Sequence, residues 1–178
     1  MRTSASRTLR PKRARVEMAP SRLPPRLLFT AALVVLALDV VTKALVVSRL
    51  AEGESVRLIP GVLFLTHTTN TGGAFGMSTG TPWLFGVVST AVVLLITWNA
   101  RYVRSAWKAV SLGLILGGAA GNLLNRLSDG LGFSGRVVDF IDVRIWPVFN
   151  LADSAIVAGA VMLALSYAKR ETDDERTA

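Results

Sequence analysis

Four runs of apolar residues divide the chain, and the polar positions inside and between them are what need explaining. The runs are Leu27–Val47, Trp83–Trp98, Ala109–Leu127 and Leu151–Ala168. Each is near the roughly 17–25 residues that an α-helix needs to cross about 30 Å of hydrocarbon. Backbone groups in lipid must bond within their own segment, so each run is predicted as a transmembrane helix. Between the first two, Ser55–Ile59 and Val62–Thr68 are predicted as short strands with Pro60-Gly61 as the turn. The expected fold class is a mainly α membrane protein: four transmembrane helices with a small β-sheet in the first external loop, at the outer membrane surface. A single domain spans residues 27–168, with external loops 48–82 and 128–150. It is flanked by a basic tail, residues 1–26, and a short C-terminal tail, residues 169–178.

Composition agrees. Hydrophobic residues make up 51% of the 178 and charged residues 18%, with a mean hydropathy of +0.47; soluble domains carry roughly 25% charge. With no cysteine, disulfide scaffolds, thiol nucleophiles, Cys-ligated metals and thioether lipidation of this chain are excluded. The single histidine, His67, excludes paired-histidine zinc motifs and is expected as an exposed strand residue. No metal and no organic cofactor is implied.

The net charge of +8 would suit nucleic acid, but the cations lie at the edges of the apolar runs. Eight of the 20 Lys and Arg precede residue 27, and Arg101, Arg104, Lys108, Lys169, Arg170 and Arg176 fall on the same side of the expected membrane. Only Arg49, Arg57, Arg136 and Arg144 fall on the other. The positive-inside rule then places both termini in the cytoplasm and both long loops outside. The basic tail reads as a disordered topogenic segment facing lipid headgroups, not as a nucleic-acid arm.

Ionisable residues within a span cost about 2.5–3.5 kcal/mol each on insertion scales, so each needs a reason. In the third span Asn122, Asn125, Arg126 and Asp129 fall at i, i+3, i+4 and i+7, on one helical face. Asp39 and Lys43 form an i, i+4 pair in the first, which on its own reads as a helix-surface ion pair with Lys43 snorkelling outward. Asn150 followed by Asp153 reads as an N-cap with a carboxylate at the helix start, and Gly118-x-x-Gly121 as a close-packing pair. Yet all these polar residues, with Asp139 and Asp142 of the second loop, map to one depth near the outer surface. One polar site explains that better than separate accidents. The chemistry left to it is that of carboxylates: two aspartates a few ångströms apart cannot both ionise, so one keeps a proton while the other takes one from water. Spacing leaves the pair open among Asp129, Asp139, Asp142 and Asp153.

Five strings in order carry a resemblance. Leu38-Asp-Val-Val-Thr-Lys43, Asn70-Thr-Gly-Gly-Ala-Phe-Gly76, Gly117-Gly-Ala-Ala-Gly-Asn-Leu-Leu-Asn-Arg126, Val137-Val-Asp-Phe140 and Phe149-Asn-Leu-Ala-Asp153 resemble the lipoprotein signal peptidase (signal peptidase II) family. The resemblance implies an aspartic endopeptidase of the bacterial inner membrane that cuts diacylglyceryl-modified prolipoproteins just before the lipidated cysteine. It implies Asp139 and Asp153 as the catalytic dyad. Asn122, Arg126 and Asn150 match positions that bind substrate or order the aspartates, and Asp39, Lys43, Asn70 and Gly72 match further motif positions. Asn125 stands where the family often has Asp, which points to a structural role. The loop carrying Gly72 and Gly73 is expected to close over bound peptide. Partners expected are prolipoproteins and membrane lipids, with no nucleic acid and a monomeric enzyme. The rival readings are a small proton-coupled transporter and a non-catalytic membrane scaffold; the inner halves of the spans hold no charge, which leaves a proton path nowhere to continue.

Overall fold

The computed structural model describes residues 25–71 and 81–177, with side chains as far as residue 168. Four helices match the four apolar runs: α1 (Arg26–Arg49), α2 (Pro82–Asn99), α3 (Ala106–Ser128) and α4 (Leu151–Thr177). All four are long and apolar enough to cross a membrane. Each runs slightly past its apolar stretch, and α4 continues as helix from Ala168 to Thr177.

Three strands form an antiparallel sheet in the order β1 (Ser55–Ile59), β2 (Leu63–Asn70) and β3 (Val137–Asp142). The sheet is therefore not confined to the loop between α1 and α2, because its third strand comes from the loop between α3 and α4. Strand β2 starts one residue later and ends two residues later than expected, extended by pairing with β3: Thr68 lies opposite Asp139, and Asn70 opposite Val137. Gly61, at φ +73°, makes the β1–β2 turn, a conformation that L side chains rarely adopt.

An irregularity between Leu65 and Thr68 breaks the β2–β3 register and turns His67 inward. His67 is 7% exposed, with Nδ1 at 2.9 Å from the carbonyl oxygen of Leu50. This corrects the exposed position expected for it: a bulge inverts the alternation of side chains that a regular strand would keep.

Helix α3 sits centrally, packed on α1, α2 and α4. Its glycines let backbones approach. Cβ atoms added at Gly113 and Gly117 would lie 2.6 and 2.5 Å from the carbonyl oxygens of Leu28 and Ala32 on α1. Gly118 and Gly121, read as one pair from the sequence, face different helices, Gly118 against Ala152 of α4 and Gly121 against Asp39 of α1. Small residues are what bring helices together where lipid removes the hydrophobic drive. The large side chains face outward instead: Leu33, Leu94, Trp98 and Val157 are 65%, 65%, 71% and 62% exposed.

Candidate active site

Where the sheet meets the ends of α1 and α3 and the start of α4, polar side chains replace apolar packing. Asp139 enters from β3, 2% exposed, and Asp153 from the first turn of α4. Asn150 joins them. Its main-chain N–H donates to Asp153 Oδ2 (3.3 Å) and its Oδ1 accepts from the Asp153 N–H (2.9 Å). That reciprocal cap starts α4. With Oδ1 committed to the cap, the Asn150 amide turns its NH2 outward, donating to Asp139 Oδ1 at 2.6 Å.

Asn122 is oriented the same way from the other side. Lys43 can only donate, and its Nζ lies 2.9 Å from Asn122 Oδ1, which also accepts from Asn150 Nδ2 at 3.2 Å. The Asn122 NH2 therefore faces Asp153 and donates to its Oδ1 at 2.7 Å. Asn70, at the end of β2, donates to Asp139 Oδ2 at 3.0 Å. Among the described residues each carboxylate thus accepts two hydrogen bonds, and one asparagine touches both.

The Asp39–Lys43 pair is not on the helix surface. Asp39 is 0% and Lys43 5% exposed. Asp39 Oδ2 accepts from Lys43 Nζ at 2.8 Å, while Oδ1 accepts the Ala152 N–H at 3.0 Å, a second cap on α4. The reading of Lys43 as snorkelling is overturned because Asn122 and the α4 backbone supply partners that water would otherwise have provided.

Arg126 is 6% exposed, with Nη1 at 3.4 Å from the Asn122 carbonyl oxygen and its guanidinium 5.9 Å from the centroid of the Phe85 ring. Its Nε is buried with no hydrogen-bond partner among the described residues. Phe85 was not singled out from the sequence, since one aromatic among the apolar residues of α2 carries no signal. Beside Asp153 opens an apolar cavity of about 510 Å³ lined by Val143, Trp146, Phe149 and Val157.

The other expected residues divide cleanly. Asn125 Oδ1 accepts the Val138 N–H at 2.8 Å, holding β3 to α3. Asp129 pairs with Arg136, whose main-chain and side-chain N–H groups hold its carboxyl below the usual range. Asp142 accepts from Thr66 Oγ1 and from the Arg144 N–H, which sets Arg144 at φ +64°. Neither Asp129 nor Asp142 takes part in the network around Asp139 and Asp153. Gly72 lies outside the described residues.

Burial is the main influence on Asp139, raising its pKa to about 6, and the nearby Asp153 charge raises it too; the Asn70 and Asn150 hydrogen bonds and the Lys43 charge act against them. Around pH 6 Asp139 is therefore divided between carboxyl and carboxylate, so it can give a proton as well as take one, which acid–base chemistry at this site requires.

The model of the family described as signal peptidase (SPase) II matches residues 31–169. The chain belongs to the signal peptidase II family.

It is 46% identical over 154 residues to the lipoprotein signal peptidase of Mycobacterium leprae (strain Br4923), covering 84% of this chain and 77% of that one. It is 50% identical over 139 residues to that of Mycolicibacterium smegmatis (strain ATCC 700084 / mc(2)155), covering 78% and 59%. Among solved structures, it resembles a bacterial membrane enzyme determined by the in meso method at 2.3 Å resolution, with a TM-score of 0.72 and 27% identity over 82% of this chain and 90% of the other. Membership in signal peptidase II makes the chain a protease, and its four apolar helices make it a multi-pass protein of the bacterial membrane.

Proposed function

We propose that this signal peptidase II removes the signal peptide from diacylglyceryl-modified prolipoproteins, with Asp139 and Asp153 as the catalytic pair. The observation that carries the reading is the placement of two carboxylates, one on a strand and one at a helix start, on opposite sides of a single asparagine, Asn150.

Asp139, whose carboxyl is raised to about 6, keeps the shared proton and donates it to the scissile carbonyl oxygen. Asp153 takes a proton from water as the water oxygen attacks the carbonyl carbon. The tetrahedral gem-diol collapses as the C–N bond breaks: the proton on Asp153 passes to the departing nitrogen of the cysteine, and a hydroxyl proton returns to Asp139 as the carbonyl re-forms, which restores the one-proton dyad. Asn70, Asn122 and Asn150 hold the two carboxyls in register, with Lys43 fixing the Asn122 amide and Asp39 neutralising Lys43. Arg126, with its unmatched buried Nε, suits a substrate main-chain carbonyl, because a buried donor left unpaired costs about 1–3 kcal/mol. The apolar cavity beside Asp153 suits lipid or apolar signal-peptide side chains next to the cut.

The uneven distribution of Lys and Arg supports cytoplasmic termini, an inner-membrane location and an active site near the outer leaflet.

The test is a gel-shift cleavage assay on a diacylglyceryl prolipoprotein, comparing wild type with Asp139→Asn and Asp153→Asn. Both variants, shown folded by their unfolding transitions, are expected to lose about 10³-fold or more in rate. Cleavage retained by either folded variant overturns the dyad.

A further inference from the structure

We propose that a groove between α1 and α2, at the end of the bundle away from the aspartates, is a binding site for one phospholipid with an anionic headgroup. Two cavities make it, of about 440 and 400 Å³, and they share Phe29 and Thr97, so they run into one another. The first opens at Pro25 and Arg101; the second ends on Leu36 of α1 and Ala120 of α3. From Pro25 to Leu36 the helix rises about 16 Å at 1.5 Å per residue. That matches the half-thickness of about 15 Å available to one acyl chain in a bilayer. Behind the groove, Leu28 and Ala32 of α1 and Ile96 and Ala100 at the end of α2 share one apolar cluster with Ala109 and Leu116 of α3, so α3 forms the floor between the two helices. A furrow is therefore left on the lipid-facing side.

The mouth carries the headgroup chemistry. The Arg101 guanidinium lies 5.2 Å from the centroid of the Trp98 ring and 4.8 Å from that of Tyr102, so two aromatic faces hold it at the rim. Stacking uses the face of a guanidinium and leaves its N–H edge for an anion. Arg101 makes no ion pair among the described residues. Among the described residues no Asp or Glu lines either cavity to pair with the ammonium of a zwitterionic headgroup. A cationic rim over an apolar furrow of acyl length selects net negative charge on a chain-bearing phosphate. The groove ends about one helical turn short of Asp39, and neither cavity is lined by Asp39, Asp139 or Asp153, so this site does not rest on their role.

The test is native mass spectrometry of the full chain in neutral detergent, titrated with phosphatidylglycerol, with phosphatidylcholine of the same chains, and with inorganic phosphate. The wild type is expected to retain one phosphatidylglycerol, about fivefold more tightly than phosphatidylcholine, and to be indifferent to inorganic phosphate. Arg101→Gln is expected to reduce phosphatidylglycerol to the phosphatidylcholine level, and Leu33→Trp, which fills the furrow, to release both. Lys108→Gln, a cation at the same end that sits 4.3 Å from the Tyr167 ring centroid and outside the groove, is expected to change nothing. Unfolding midpoints near the wild-type value in the same detergent would show each variant folded. Equal retention of the two lipids overturns the proposal, as does unaltered binding by Arg101→Gln. So does displacement by inorganic phosphate, which would mean a simple anion site.

Discussion

At the aspartate end of the bundle, Asp39, Lys43, Asn122, Asp139 and Asn150 are each at most 7% exposed, and hydrogen bonds join them into one network. At the opposite end, the charges of Arg101 and Lys108 lie on the faces of exposed aromatic rings, and the polar groups bond singly, as Trp107 Nε1 does to the Met162 carbonyl oxygen at 2.7 Å. Both ends belong to the same four helices in the same apolar surroundings. What separates them is whether a charge can reach water. Where it can, an aromatic face is enough to hold it; where it cannot, every donor needs an acceptor. Amides of fixed orientation are the result, and they also aim the two carboxylates.

The comparison is broken most sharply by removing one charge from the buried network. Asp39→Asn leaves Lys43 buried without a counter-charge and is expected to lower stability by about 3 kcal/mol or more, read as a fall in the unfolding midpoint in neutral detergent. Replacing both, Asp39→Leu with Lys43→Met, is expected to recover part of that loss. If the double variant is no more stable than the single one, uncompensated charge is not the cause.

Asn150 separates the structural and chemical sides of the network. Asn150→Ser keeps a cap but cannot reach Asp139, so stability is expected near wild type while cleavage falls about tenfold to a hundredfold, the effect of losing a charge-assisted hydrogen bond. Asn150→Ala is expected to lose about 1 kcal/mol of stability as well. Equal unfolding midpoints for the two variants would remove the cap from the account.

The next effect is on pH. Asn70 donates to Asp139 and holds its pKa down, so Asn70→Ala is expected to move the limb of the rate profile near pH 6 to higher pH. Because Asp139 has its pKa raised from 3.8 to about 6 by folding, the native state binds the proton more tightly than the unfolded chain. Its ionisation therefore removes stability as pH rises from about 4 to about 6, and Asp139→Asn is expected to flatten that slope. An unmoved limb in Asn70→Ala would assign it to another group. The smallest expected effect lies at the opposite end, where Trp107→Phe deletes one hydrogen bond and costs about 1 kcal/mol or less.

The helices were legible in the sequence because lipid allows one backbone solution to an apolar run of that length. That the polar residues of separate spans belong to one cluster was legible too, since buried charge is rare enough to stand out. Strand β3 was not. Apart from a local bridge between Ile141 and Phe149, Val137–Asp142 pairs with a strand more than sixty residues away, and its short apolar-acidic pattern carries no local record of that partner. His67 and the Asp39–Lys43 pair were misplaced for a related reason: a bulge in one case, and the start of α4 in the other, supply burial that arises only in the assembled fold. The spacing of Asn122 placed it on the polar face of α3, but the direction of its amide depends on Lys43 from a different helix.

The two caps on α4 also bear on how the enzyme is made. Asp153 is positioned by Asn150, Asn122 and, through Lys43, Asp39, whereas Asp139 arrives on a strand that forms only when β2 is in place. A chain that is still entering the membrane has these carboxylates far apart. With Asp139 and Asp153 as the proposed catalytic pair, hydrolytic capacity waits for both elements to be in place, so a half-inserted molecule is chemically silent toward the proteins being threaded beside it.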